Sequence, residues 1–584
     1  MKALSLFAVF VLAKILVLVG RDITLSWWAP LAYVWQDALV ASLLGVIEFF
    51  NRRRPWITWL LYGGSVLYVA INVPLTRILS SPLTWQMSRA TGTALSDSIQ
   101  HYLTLGNITL IIAVLLAGAL LPFCLRNTSP RTVAVISMAV IMLITFGPAA
   151  SARVDSNGLH RNAVAALIHS LFPRIAAVDA DGDWRAGLFE RSHGEDLSAY
   201  RGAATNRHVV LILLESTGAG YLRPYGSKND PMPNLTKLAE TSILFENTYA
   251  VYPESIKGLF SVLCSRYPAF DTEPADYERV STTSIAQALA GSGYRTALFH
   301  SGRFMYLGMN SIIQNRGYEI LEDAAAISGN FNSSFGVDEP ATVKRMLGWI
   351  DSLPRGERFF LTYLPIAGHH PYNAPAAGPF HDRSEQGQYL NALHYGDAAL
   401  GQFFQGLKSR GLNTNTLFVI FGDHGEAFGQ HEGNYGHTLF IHEENVRVPY
   451  LVAAPGLVLE PKRVSRIASL IDTAPTILDL LGLPFPGDYQ GSSLLRPPCQ
   501  MALFYTDYSL SLVGLRDGDW KFIYELESKR SKLFHVAQDQ RETDNLAGRY
   551  PQRAANYREH LLRWSAAQKK RLLHPGESDV VLRR

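Results

Sequence analysis

Residues 207–216 read RHVVLILLES, and residues 416–426 read TLFVIFGDHGE. Each is a near-continuous apolar run, rich in β-branched residues, that stops abruptly on carboxylates or imidazole. Without an alternating pattern both faces of each run must be buried, as in a strand inside a sheet covered by helices. Residues 359–364 and 449–453 are similar runs, and helical patterns lie at 233–241, 284–292, 340–353, 388–409 and 472–481. Strand and helix in alternation predict an α/β fold with a mostly parallel central sheet flanked by helices. In such sheets ligands sit at the carboxyl ends of the strands. Glu215 ends the first run, and Asp423 and His424 end the other. A carboxylate from one strand and an Asp-His pair from a second suffice for one divalent cation. Mixed oxygen and imidazole donors suit Mn²⁺ or Zn²⁺ better than Ca²⁺.

The N-terminal quarter obeys different rules. Five apolar segments, at 3–20, 27–50, 57–75, 108–125 and 132–146, approach the length of a membrane-crossing helix. Further apolar segments after the first argue against a cleaved signal peptide. Arg52, Arg53 and Arg54 fall between the second and third segments, and Arg126 and Arg131 between the fourth and fifth. By the positive-inside rule those loops are cytoplasmic, so five crossings put everything after about residue 150 outside. The expected division is a five-helix membrane domain over 1–150, a juxtamembrane connector over 151–206, and an α/β catalytic domain over 207–584. Residues from about 500 onward form a small C-terminal subdomain. The connector's amphipathic stretch at 160–172 reads as a helix lying at the interface. Asp37 and Lys14 lie deep in apolar segments, where an ionisable residue is a functional candidate by default. A net charge of +3 over 584 residues gives no bias toward nucleic acid. Of the three cysteines, Cys264 and Cys499 fall in the external part and are a candidate pair.

Several ordered segments resemble the alkaline phosphatase/sulfatase superfamily over about residues 207–546. Residues 252–268, YPESIKGLFSVLCSRYP, resemble the sulfatase signature without gaps and set Ser255 at the nucleophile position. GYRTALFHSGRFMYLG resembles the stretch of basic substrate-binding residues, where Arg303 takes the place of a lysine. GHHPY supplies a His-x-Pro element through His369, and residues 422–452 are similar to the metal- and anion-binding loop, with His437 inside it. SLIDTAPTILDLLG and LRDGDWKFIYE are similar to the late helix and the C-terminal subdomain.

The departures carry information as well. Maturation of a sulfatase serine or cysteine to formylglycine needs Pro and Arg at two and four residues downstream. Here Lys257 and Leu259 stand there, so Ser255 is expected to remain serine. A lone Glu, a Ser nucleophile and an Asp-His pair behind five membrane segments resemble the branch of lipoteichoic acid synthases and phosphoethanolamine transferases. That resemblance implies metal ligation by Glu215, Ser255, Asp423 and His424. It also implies catalysis by Ser255 with His369 and His437, and substrate binding by His369, His437 and Arg303. Coordination to a dication lowers a serine hydroxyl's pKa and makes it a nucleophile for phosphorus. Near-neutral imidazoles suit the protonation of a leaving group. His431 and His442 read as exposed loop residues.

The expectation is therefore a multi-pass, inner-membrane transferase with its catalytic domain on the periplasmic side. It would take phosphoethanolamine or phosphoglycerol from a lipid donor to a lipid or glycan acceptor. A membrane-bound sulfatase or phosphodiesterase using water, and an inactive glycan-binding or scaffolding relative, are the alternatives.

Overall fold

The protein is described by a computed structural model covering residues 1–23, 26–90, 102–180, 182–190, 195–330, 336–375, 377–496 and 501–573. Five apolar helices come first: α1 (Lys2–Leu18), α2 (Ala29–Phe50), α3 (Pro55–Leu79), α4 (Leu105–Cys124) and α5 (Pro130–Ser151). Proline in the first turn starts α2, α3 and α5, where no backbone N–H is lost. Thr104 and Ser129 cap α4 and α5 by accepting from the N–H of Asn107 and Thr132. Among the described residues four helices, α2 to α5, are long and apolar enough to cross a membrane. The expectation of five is corrected by α1, which has 17 residues. At 1.5 Å per residue it reaches about 26 Å, short of a hydrocarbon core of about 30 Å.

α1 carries Lys14, whose partner was not evident in the sequence. Its ammonium donates to the carbonyls of Leu159 (3.1 Å) and Arg161 (2.7 Å) and lies 3.7 Å from Asp37. Asn162 donates to Asp37 at 2.6 Å. Lys14 and Asp37 thus tie α1 and α2 to the segment after α5. The amphipathic stretch at 160–172 yields a seven-residue helix, Ala163–His169.

The central sheet is built from β1 (His208–Leu214), β2 (Ser242–Tyr249), β3 (Tyr294–His300), β4 (Ile320–Glu322), β5 (Arg358–Leu364), β6 (Thr416–Gly422), β7 (Arg447–Val448), β8 (Tyr450–Ala453) and β9 (Lys462–Ser469). Its order is β9-β2-β8-β6-β1-β5-β3-β4, with β7 paired to β2. Only β7 and β8 run antiparallel to their neighbours. β1 and β6 are buried along their whole length. Separate apolar cores cover the two faces, one around Leu211, Phe260 and Ile477, the other around Ile212, Trp349 and Phe403. A four-stranded antiparallel sheet, Met501–Thr506 to Ser531–His535, packs with helix Pro551–Leu573 around Trp564 and Tyr557. Cys264 is a free, buried thiol; Cys499 lies outside the described residues.

Candidate active site

β1 and β6 are parallel neighbours with Leu214 opposite Gly422, so Glu215 and Asp423 emerge side by side. The glycines around Asp423 permit the close approach. A Cβ on Gly422 or Gly425 would sit 2.0 Å from the carbonyl oxygen of Thr217 or Glu444, respectively. Ser216 takes a left-handed φ of 52°, a conformation that non-glycine residues adopt rarely. Its N–H donates to Oδ1 of Asp423 at 3.0 Å, and the N–H of His424 donates to the same oxygen at 2.8 Å. Oδ2 is left free to face Ser255.

Ser255 opens helix α6 (Ser255–Cys264). The N-cap is the preceding Glu254, which accepts from the N–H of Ile256 (2.9 Å) and Lys257 (3.3 Å). The Ser255 hydroxyl is therefore not used as a cap. Its oxygen lies 2.7 Å from Oδ2 of Asp423, 3.0 Å from Oε2 of Glu215 and 3.3 Å from Nε2 of His424. Nδ1–H of fully buried His424 points at the carbonyl of Gly425 (3.0 Å), which turns the Nε2 lone pair into the cluster. Metal-ligating imidazoles are held in this way.

The Ser255 hydroxyl thus faces two carboxylates and the His424 ring, and among the described residues the two carboxylates have no ion-pair partner but His424. Burial pushes the imidazole of His424 down, yet Asp423 and Glu215 outweigh it and lift it to about 10. Burial raises Asp423 to about 6, helped by the charge of Glu215 and opposed by His424. Burial alone would raise Glu215 too, but its hydrogen bond to His424 and that ring's charge hold it well below the usual carboxylate range. Protons are drawn to a place where a cation would replace them. The donor set fits a divalent metal ion held by Glu215, Asp423, His424 and Ser255.

The histidines expected to contact substrate stand beside this cluster. The His437 ring is 4.2 Å from that of His424, and the His369 ring is 6.2 Å from that of His437. Nδ1 of His437 donates to Oε2 of Glu426 at 2.7 Å, and Nδ1 of His369 donates to the carbonyl of His370 at 2.6 Å. Both rings are thereby fixed at Nδ1. Glu426, which is 1% exposed, also accepts from the Tyr372 hydroxyl at 2.8 Å. Neither Glu426 nor Tyr372 was assigned a role from sequence, although both lie inside the motifs read. Arg303, three residues beyond β3, accepts from the N–H of Tyr306 through its carbonyl at 3.1 Å, and no ion pair of its guanidinium forms among the described residues. His300 at the end of β3 is buried and feels the charges of Glu215 and His369.

The reading of His431 and His442 as exposed is corrected. They stack with centroids 3.7 Å apart, and His442 is 3% exposed. Glu444, Glu542 and Lys521 pair around them. Parallel rings direct their in-plane lone pairs side by side and not at one point, so this group joins the C-terminal sheet to the loop and is a poor chelate.

Comparisons with known proteins accord with this geometry. The sulfatase family model matches residues 207–483, and a model for the C-terminal region of N-sulphoglucosamine sulphohydrolase matches 432–561. A lipoteichoic acid synthase-like protein of Bacillus subtilis (strain 168) is 24% identical over 317 residues, 50% of each chain. Arylsulfatase K of Bos taurus is 28% identical over 220 residues, 32% of this chain and 40% of that one. The chain spans about half the length, or less, of the curated relatives it matches. In fold, the lipoteichoic acid synthase of Listeria monocytogenes superposes with a TM-score of 0.52 at 16% identity, covering 67% of this chain and 97% of that chain. Four helices long and apolar enough to cross a membrane thus precede an α/β domain whose residues 207–483 match the sulfatase family model.

Proposed function

We propose that the protein transfers a phospho-headgroup, phosphoethanolamine or phosphoglycerol, from a membrane lipid to a lipid or glycan acceptor of the cell envelope. In this reading residues 1–150 anchor the chain in the inner membrane, 151–206 connect, and 207–584 work on the periplasmic side. The observation that carries it is the Ser255 hydroxyl within 2.7–3.3 Å of Asp423, Glu215 and His424, in a segment where Lys257 and Leu259 replace the Pro and Arg that maturation to formylglycine requires. Tethering such a site beside a bilayer raises the effective concentration of a lipid donor.

Mn²⁺ or Zn²⁺ bound by Glu215, Asp423, His424 and Ser255 would lower the hydroxyl's pKa and offset charge on the phosphoryl oxygens. The Ser255 proton is given up to water as Oγ becomes the nucleophile. Oγ of Ser255 bonds to phosphorus in line as the bond from phosphorus to the glyceride oxygen breaks. That oxygen takes a proton from Nε2 of His437 or His369 and leaves as diacylglycerol. In the second half the acceptor hydroxyl gives its proton to the same imidazole and its oxygen bonds to phosphorus. The Ser255–phosphorus bond then breaks and the serine regains a proton. The N-terminus of α6 lies under the reacting anion, a favourable position for its dipole.

The likeness to arylsulfatase K and the match of the sulphohydrolase C-terminal model favour a second reading, hydrolysis of a sulfate or phosphate ester by water. Intact mass and peptide mapping of wild type and Ser255→Ala after incubation with membrane phospholipids separate the two. A phosphoethanolamine or phosphoglycerol adduct on Ser255, absent from the variant, supports transfer. Formylglycine at position 255 would overturn it in favour of a sulfatase.

A further inference from the structure

A cavity of about 470 Å³ lies beside the first turn of α6. Its lining includes Glu254, Ile256 and Lys257, the neighbours of Ser255 in sequence, together with Met305, Leu307, and finally Trp85 and Gln86. The last two belong to the short helix Trp85–Ala90, which follows the membrane-length helix α3. We propose that this cavity holds the glyceride portion of a glycerophospholipid, so that residues beside the membrane helices complete the site. The inference rests on the lipid-donor reading above and adds where, and by which residues, the lipid is recognised.

Three observations support this occupant. First, Trp85 and Gln86 are fixed at the wall. The backbone N–H of Trp85 donates to the Ser170 hydroxyl at 2.9 Å, and Nε2 of Gln86 donates to the carbonyl of Ser170 at 3.0 Å. Just before them, Thr84 donates to the carbonyl of Tyr508 at 3.1 Å. The segment that follows a membrane-length helix is thus stitched to the cavity's rim.

Second, the charged groups nearest Ser255 in the wall are already paired. Glu254 is spent on capping α6, and the Lys257 ammonium lies 2.9 Å from both oxygens of Asp507. Thr272 donates to the carbonyl of Ala269. A sugar, with hydroxyls all round, would lose more hydrogen bonds to water here than a diacylglycerol moiety, whose acyl chains are apolar.

Third, the rim is apolar and exposed. Trp85 is 46%, Leu307 42% and Met305 65% exposed. Leu307 is held outward in a left-handed conformation, φ 46°, that a branched side chain adopts only when its surroundings impose it.

The test uses the full chain in dodecyl maltoside mixed micelles. Dioleoyl phosphatidylethanolamine and dioleoyl phosphatidylglycerol are the lipid probes, and bis(p-nitrophenyl) phosphate is the soluble phosphodiester. Trp85→Ala and, independently, Leu307→Asp are expected to lower the lipid-to-soluble ratio of kcat/KM about 10-fold, chiefly through KM, with Trp85→Phe restoring it. A ratio unchanged in both variants, while wild type turns over lipid, overturns the cavity assignment alone. Wild type that cleaves the soluble diester but neither lipid overturns the donor reading and this inference together.

Discussion

Nδ1 of His437 lies 2.7 Å from Oε2 of Glu426, and the other oxygen of that carboxylate is held by Tyr372. Glu426 itself does not enter the group around Ser255. It fixes the tautomer and the direction of the His437 ring, and through Tyr372 it ties the loop of His369 to the loop of His437.

From this arrangement Glu426→Ala is expected to lower kcat about 10- to 100-fold, the usual loss when the partner orienting an imidazole is removed. Metal content should stay at the wild-type level, because Glu215, Asp423 and His424 are untouched. Steady-state kinetics beside metal analysis checks this. Loss of metal together with activity would show that Glu426 acts on the cation site instead.

Lys257, at the position where the sulfatase signature has proline, is 7% exposed and paired with Asp507 inside the protein. Asp507 also accepts from the Tyr252 hydroxyl (2.8 Å) and the N–H of Asp271 (2.7 Å). Lys257→Met strands a buried carboxylate and is expected to cost about 3–5 kcal/mol of stability. The double variant with Asp507→Leu should recover a large part of that loss. Denaturant unfolding of both variants decides it: equal destabilisation in the two would mean the ion pair is not what the position needs.

These cases mark what was legible in the sequence. β1, β5, β6 and the helices behind them were readable because strands buried on both faces leave uninterrupted apolar runs. β2, β3 and β9 were missed, since SILFENTY, YRTALFH and KRVSRIAS carry Glu246, Arg295 and Arg463 at partly exposed positions and blur the pattern. Glu215, Asp423 and His424 were found at strand ends, where topology concentrates ligand groups. Ser255 was singled out by its motif, and the cap on α6 that keeps its hydroxyl turned to the cluster comes from Glu254. Glu426, Tyr372 and the Lys14–Asp37 pair depend on contacts between distant segments, which spacing along one chain does not encode.

Gly368 supports the site from behind. A Cβ there would come within 2.2 Å of the carbonyl oxygen of Glu215, and backbone at that point cannot yield without moving the ligand. Gly368→Ala is expected to reduce activity by at least about 10-fold through displacement of Glu215 or of the His369 loop. Global stability should fall by only about 1–3 kcal/mol. Kinetics and denaturant unfolding on the same preparation test it, and full activity would mean that the loop has slack.

The last prediction follows from the protons the site holds when no cation is bound. Asp423 is raised to about 6 and His424 to about 10, and both must be unprotonated to serve as ligands. A cation therefore expels protons on binding, and its affinity has to rise with pH as long as a ligand remains protonated. Asp423 is about half ionised at pH 6 and nearly fully so by pH 8, whereas His424 still carries its proton throughout. About one proton per ion should be released, giving up to about a 100-fold gain in Mn²⁺ affinity over that interval. The same shift has a stability consequence of opposite sign. A raised imidazole pKa stabilises the metal-free fold fully below the ordinary value near 6.5, and that contribution is lost as pH rises through about 10. The metal-free protein should thus weaken over this window while the loaded protein, with no such proton to lose, does not. Calorimetric titrations in buffers of different ionisation enthalpy, paired with melting curves of the stripped and loaded forms, read both effects. Affinity that stays flat from pH 6 to 8 would mean that His424 is not among the ligands.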